Sequence, residues 1–86
     1  MSRHRRSDVQ ILTDLLSVAL RDVGVTHLMY KANLSYSTLR RYLSAAQDKG
    51  LINKVNNGDG TMVYRTTDKG RIILEKLRDV KTLLQS

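Results

Sequence analysis

Apolar residues recur over residues 7–23 at Leu12, Leu16, Ala19 and Val23, spacings of four, three and four that lay them along one stripe of an α-helix. Ser7 and Gln10 stand at the spacing of a capping box, and Asp8 in the first turn suits the helix dipole. Gly24 supplies a stop, since glycine enters the left-handed conformation at little steric cost. A first helix over 7–23 follows. Thr26 then caps a short second helix through Ala32, with Leu28 and Met29 turned inward, until Asn33-Leu34-Ser35 breaks the period. A third helix starts near Ser35 or Ser37, runs to Lys49 and stops at Gly50.

Beyond Gly50 the period changes. Leu51-Ile52-Asn53-Lys54-Val55 and Thr61-Met62-Val63-Tyr64-Arg65-Thr66 are β-rich runs around Asn-Gly and Asp-Gly dipeptides, which tolerate the positive φ of hairpin turns. Thr67 and Asp68 open a last helix reaching nearly to Ser86. Its central row is Ile73, Leu77, Val80 and Leu84, flanked by Ile72 and Leu83 on one side and Leu74 on the other. That apolar arc covers about 200° of the helical wheel, wider than packing on one side requires. The order helix, helix, helix, hairpin, helix is a mainly α fold with a β-hairpin (α+β). Two helices joined by a tight turn and followed by a ribbon make a winged helix-turn-helix, whose third helix is the one that enters a major groove. The chain divides into a basic, flexible arm (1–6), the winged helix-turn-helix domain (7–67) and a C-terminal helix (68–86).

Composition narrows the picture. Eighty-six residues make one small domain. Phe and Trp are absent, so the core is aliphatic with help from tyrosine, and the absence of Cys removes disulfides, thiolate metal sites and cysteine nucleophiles. No apolar run approaches a signal sequence or membrane span, so the expected setting is cytoplasmic and nucleoid-associated, with no membrane partner. The net charge of +7 gathers on the first six residues and on residues 25–65, a footprint that favours a polyanion.

The third helix carries the candidate chemistry. At 100° per residue, Leu39, Tyr42, Leu43 and Ala46 share one side and Ser37, Arg40, Arg41 and Ser44 the other, with Tyr36 at the flank. Arg40 and Arg41 could belong to an ordinary solvated face. Their place near the start of the second helix of a helix-turn-helix pair points instead to base edges and phosphates, where arginine bonds bidentately. Ser35, Ser37, Thr38 and Tyr36 add hydroxyl donors at a helix start that favours anions. Lys31, Lys54 and Arg65 are candidate backbone contacts. Arg3, Arg5 and Arg6 read equally as a groove-binding arm or a charged tail. Asp59 at the hairpin tip, with no basic residue beside it, weakens insertion of the wing into a minor groove.

Catalysis and cofactors find no support. His27 lacks a second ligand at metal spacing, and Gly58 and Gly60 belong to the hairpin and not to a phosphate loop. No small-molecule ligand is evident, and the expectation is a non-enzymatic protein without cofactor or metal.

MYKANLSYSTLRRYL and the later YRTTDKGRIILEKL resemble the archaeal winged-helix DNA-binding proteins typified by the small ten-kilodalton chromatin-associated protein of Sulfolobus. The first match spans Leu28 to Ile52, with MY-ANLSY its most specific part. The second, Tyr64, Thr67, Lys69 and Gly70, is common after the wing in many winged helices. Together with the first helix the resemblance covers nearly the whole chain. It implies double-stranded DNA as partner, transcriptional regulation or chromatin organisation as function, and a homodimer joined by an antiparallel C-terminal coiled coil. After Gly70 roughly 24 Å of helix remains at 1.5 Å per residue, shorter than the family rod, so a compact seam through Ile73, Leu77, Val80 and Leu84 is expected. A winged helix used only to bind other proteins is the reading from a different class.

Overall fold

The computed structural model describes residues 6–85. Helices α1 (Asp8–Val18), α2 (Val25–Ala32) and α3 (Tyr36–Asp48) precede strands β1 (Ile52–Asn56) and β2 (Met62–Thr66), and α4 (Asp68–Gln85) follows. The order is the one the hydrophobic pattern predicts.

Ser7 caps α1 as its spacing implies, its Oγ accepting the Gln10 N–H at 3.1 Å. The helix nevertheless ends at Val18, and the predicted extension to Val23 is wrong. The cause is tertiary. The Ala19 carbonyl accepts the Thr66 N–H at 2.8 Å, and Val23 exchanges two backbone hydrogen bonds with Tyr64, at 3.1 and 2.8 Å. These partners take over groups that an extended α1 would have bonded internally. Val23 thereby adds a one-residue third strand beside β2. Gly24 is therefore not the stop of α1. It is the N-cap of α2, in extended conformation and without a side-chain bond, so Thr26 lies inside α2 and caps nothing.

Between α2 and α3 the turn rests on Asn33, which adopts a left-handed conformation (φ 55°) that asparagine tolerates better than most residues. Ser35 then caps α3, accepting the Thr38 N–H at 3.3 Å. The strands pair antiparallel with Ile52 opposite Thr66, Lys54 opposite Tyr64 and Asn56 opposite Met62. At the tip, Gly58 and Gly60 take positive φ, while Asn56 Oδ1 and Asp59 Oδ1 accept the N–H groups of Gly58 and Thr61.

The core forms where these elements meet. Leu15, Leu16, Leu28, Leu39, Leu43 and Ile52 are fully buried, and Tyr64 and Leu74 join them. Of the row predicted along the first helix, Leu16, Ala19 and Val23 are buried and Leu12 is half-buried, and Ile11 and Leu15 widen the buried face. Thr66, the one buried polar side chain among the described residues, donates its hydroxyl to the Leu16 carbonyl at 2.8 Å. Where α4 begins, Thr67 Oγ1 accepts the Gly70 N–H at 2.9 Å and donates to the Gly50 carbonyl at 2.6 Å. A Cβ on Gly70 would lie 2.2 Å from the Leu51 carbonyl oxygen, so glycine is what allows this close approach.

The row predicted along α4 is divided in space. Ile73 and Leu77 are half-buried, Ile73 packing against the chain's own core, whereas Val80 and Leu84 are 52% and 81% exposed. Ile72 and Leu83, placed at the margin by the sequence, are 54% and 74% exposed. Arg78 Nη2 bonds Ser17 Oγ at 2.9 Å and Lys81 Nζ bonds Gln10 Oε1 at 3.1 Å, fixing which side of α4 faces α1.

Candidate nucleic-acid interface

Helix α3 lies on the core through Leu39, Leu43 and Ala46, and its cap and left-handed entry turn fix where its first residues emerge. Because one face is buried, the other is presented: Tyr36, Ser37, Arg40, Arg41 and Ser44 are all exposed, Tyr36 by 57%. Tyr42 is half-buried against the core, as its position on the apolar side implies. The hydroxyls at the helix start are not equivalent. Ser35 accepts from the helix and donates to Thr38 Oγ1 at 2.9 Å, and Thr38 is half-buried. Ser37 and Tyr36 are the more openly displayed of the group.

The two adjacent arginines also differ. Arg41 turns back along the helix, its Cζ 5.2 Å from the centroid of the Tyr42 ring. The Tyr42 hydroxyl in turn donates to Asp8 Oδ1 in the first turn of α1. A cleft between α1 and α3, lined by Arg6, Asp8, Leu34, Thr38, Arg41 and Tyr42, marks where these groups converge.

Arg6, expected on a flexible arm, is held: Nη1 bonds Asp14 Oδ2 at 2.7 Å and Nη2 bonds the Asn33 carbonyl at 2.9 Å. This places it against the turn between α2 and α3. Arg3 and Arg5 lie outside the described residues. On α2, Lys31 is exposed, and next to it stands Tyr30, 77% exposed and not among the candidate contacts above. A helical wheel of α2 carries the signal, since Tyr30 falls opposite the buried Leu28 and Ala32.

The hairpin presents Lys54 and Arg65 to solvent on adjacent strands. Lys54 stands opposite Tyr64. Arg65 is engaged bidentately by Asp22, Nε to Oδ1 and Nη2 to Oδ2, both at 2.7 Å. That hydrogen bonding, with the charge attraction behind it, holds the Asp22 carboxyl below its ordinary value and raises Arg65 further above its own. The Thr61 N–H likewise lowers the Asp59 carboxyl, so the tip carries a firmly ionised acid. Lys31 and Lys54 are thus exposed cations, whereas the wing tip carries an acid.

Among the described residues, no group of three or more metal-ligating side chains stands together, and no helix is long and apolar enough to cross a membrane.

Comparison with known proteins places this geometry among relatives. A family model described as winged helix-turn-helix matches residues 5–85. The protein MJ0290 of Methanocaldococcus jannaschii is 35% identical over 81 residues, which cover 93% of this chain but only 36% of that protein. Among solved structures, Sso10a-2, a DNA-binding protein from Sulfolobus solfataricus, superposes with a TM-score of 0.83 at 22% identity, over 93% of this chain and 83% of that one. The transcriptional regulator BldR from the same organism gives 0.80 at 17% identity, over 87% and 56%.

Proposed function

The chain belongs to the winged helix-turn-helix family, and from that premise we propose that it binds double-stranded DNA through α3 as a transcriptional regulator, without enzymatic activity. The observation that carries this reading is the display of Arg40 and Arg41 with Tyr36, Ser37 and Ser44 on the open face of a helix whose opposite face is locked into the core. In a duplex complex Arg40 and Arg41 serve base edges or phosphates, Ser35, Ser37, Thr38 and Tyr36 serve phosphates at the helix start, and Lys31, Lys54 and Arg65 flank them. Arg6, held against the α2–α3 turn, adds a further cation there, and Arg3 and Arg5, which lie outside the described residues, serve phosphates as well. The protein works as a homodimer through α4, in the cytoplasm and on the nucleoid.

Duplex titration of the double variant Arg40→Ala with Arg41→Ala tests this directly. With folding checked by circular dichroism, affinity is expected to fall at least about tenfold, one to three kcal/mol being typical of one good arginine contact. Unchanged binding would leave the fold as a protein-interaction module, a reading to which the acidic wing tip lends weight. Arg40→Ala alone separates the two DNA-binding modes. A sequence-specific regulator loses its preference for its operator over random duplex, whereas a sequence-independent chromatin organiser weakens equally on both.

A further inference from the structure

We propose that Tyr42 and Asp8 are positioning residues for DNA binding, acting through Arg41. The inference rests on the duplex-binding reading above. Three observations meet at one place. The Arg41 guanidinium lies over the Tyr42 ring, with Cζ 5.2 Å from the centroid. The Tyr42 hydroxyl donates to the Asp8 carboxylate, joining α3 to the first turn of α1. All three residues line the cleft between those helices, so the contact sits at the edge of the presented face.

Each link has a physical consequence. Tyr42 is half-buried and packed on the core, so its ring is a fixed platform for the exposed Arg41 side chain. Donating a hydrogen bond to a carboxylate enriches the phenol ring in electron density, which strengthens the attraction of its face for a guanidinium. Asp8 stands in the first turn of α1, next to the Ser7 cap. The guanidinium is thereby ordered before DNA arrives, and less of its conformational freedom is lost on binding. Among the described residues, no aromatic ring stacks on Arg40. The neighbouring arginines therefore divide their work, Arg41 delivered from a fixed position and Arg40 free to adapt.

A double-mutant cycle on duplex binding tests this, with thermal unfolding followed in parallel. Tyr42→Leu is expected to weaken binding about threefold in the otherwise unaltered protein, the size of an exposed cation–π contact, and to have no further effect when Arg41→Ala is already present. Asp8→Asn and Tyr42→Phe keep side-chain volume while removing the charged hydrogen bond, and each is expected to give a smaller loss that also vanishes in the Arg41→Ala background. In the nuclear magnetic resonance spectrum of the free protein, Tyr42→Leu should abolish the ring-current shift of the Arg41 side-chain protons. Losses that add fully to that of Arg41→Ala would overturn the proposal and make Tyr42 a packing residue only, with DNA binding by α3 left standing. If Arg41→Ala itself has no effect on affinity, the role of Arg41 in the duplex-binding reading fails instead.

Discussion

Arg65 faces a choice at the level of a single side chain, because Asp22 occupies the Nε–Nη2 edge of its guanidinium and offsets the charge that would attract a phosphate. The pair is solvent-exposed, and solvent screening keeps exposed ion pairs weak, so a phosphate can compete for it. Asp22→Asn removes the competitor and a negative charge, and is expected to tighten duplex binding a few-fold. Arg65→Met is expected to weaken binding and to make the salt dependence shallower by about one unit of slope. An unaltered slope would make Arg65 a brace between the wing and the segment before α2. Acid does not tune this competition near neutrality. Since the Asp22 carboxyl is depressed below 3.8, the pair is complete above that pH and is lost only as pH falls through the lower value of the folded state. Asp22 and Arg65 are 43 residues apart, and nothing local in the sequence announces their meeting. Arg40 and Arg41, by contrast, were legible as displayed residues because one helix period settles which side is covered. That Arg41 rests on Tyr42 depends on side-chain direction, which periodicity does not encode.

Elements were legible where their ends are decided locally. Helix α3 begins at a serine cap and stops before a glycine of positive φ, both readable from residue type. The hairpin follows from its Asn-Gly and Asp-Gly turn. Helix α1 was overrun because its end is set by Tyr64 and Thr66, far along the chain. On α4 the sequence showed an apolar arc too wide for one partner but not which part of it the core would take. The core takes Leu74 and much of Ile73, leaving Ile72, Val80, Leu83 and Leu84 outside. A dimer seam is accordingly expected on Ile72, Val80, Leu83 and Leu84, which keeps Val80 and Leu84 of the predicted row and exchanges Ile73 and Leu77 for residues that stay exposed. Leu83→Glu is then expected to yield a folded monomer, read as halved mass in sedimentation equilibrium, because Leu83 contributes little to the chain's own core. A dimer unaffected by Leu83→Glu would move the interface elsewhere.

On the scale of the whole molecule, the proposed interface draws its cations from distant parts of the chain. Arg6 is drawn to the α2–α3 turn, α3 brings Arg40 and Arg41, and β1 brings Lys54. The net charge of +7 favours a polyanionic partner, and the order of elements anticipated the winged helix-turn-helix fold. The dependence of duplex affinity on salt tests that union most directly, because each phosphate neutralised releases condensed counterions. With about six phosphates contacted, the logarithm of affinity should fall against the logarithm of salt with a slope of roughly −5. A nearly flat dependence would contradict DNA binding through this surface.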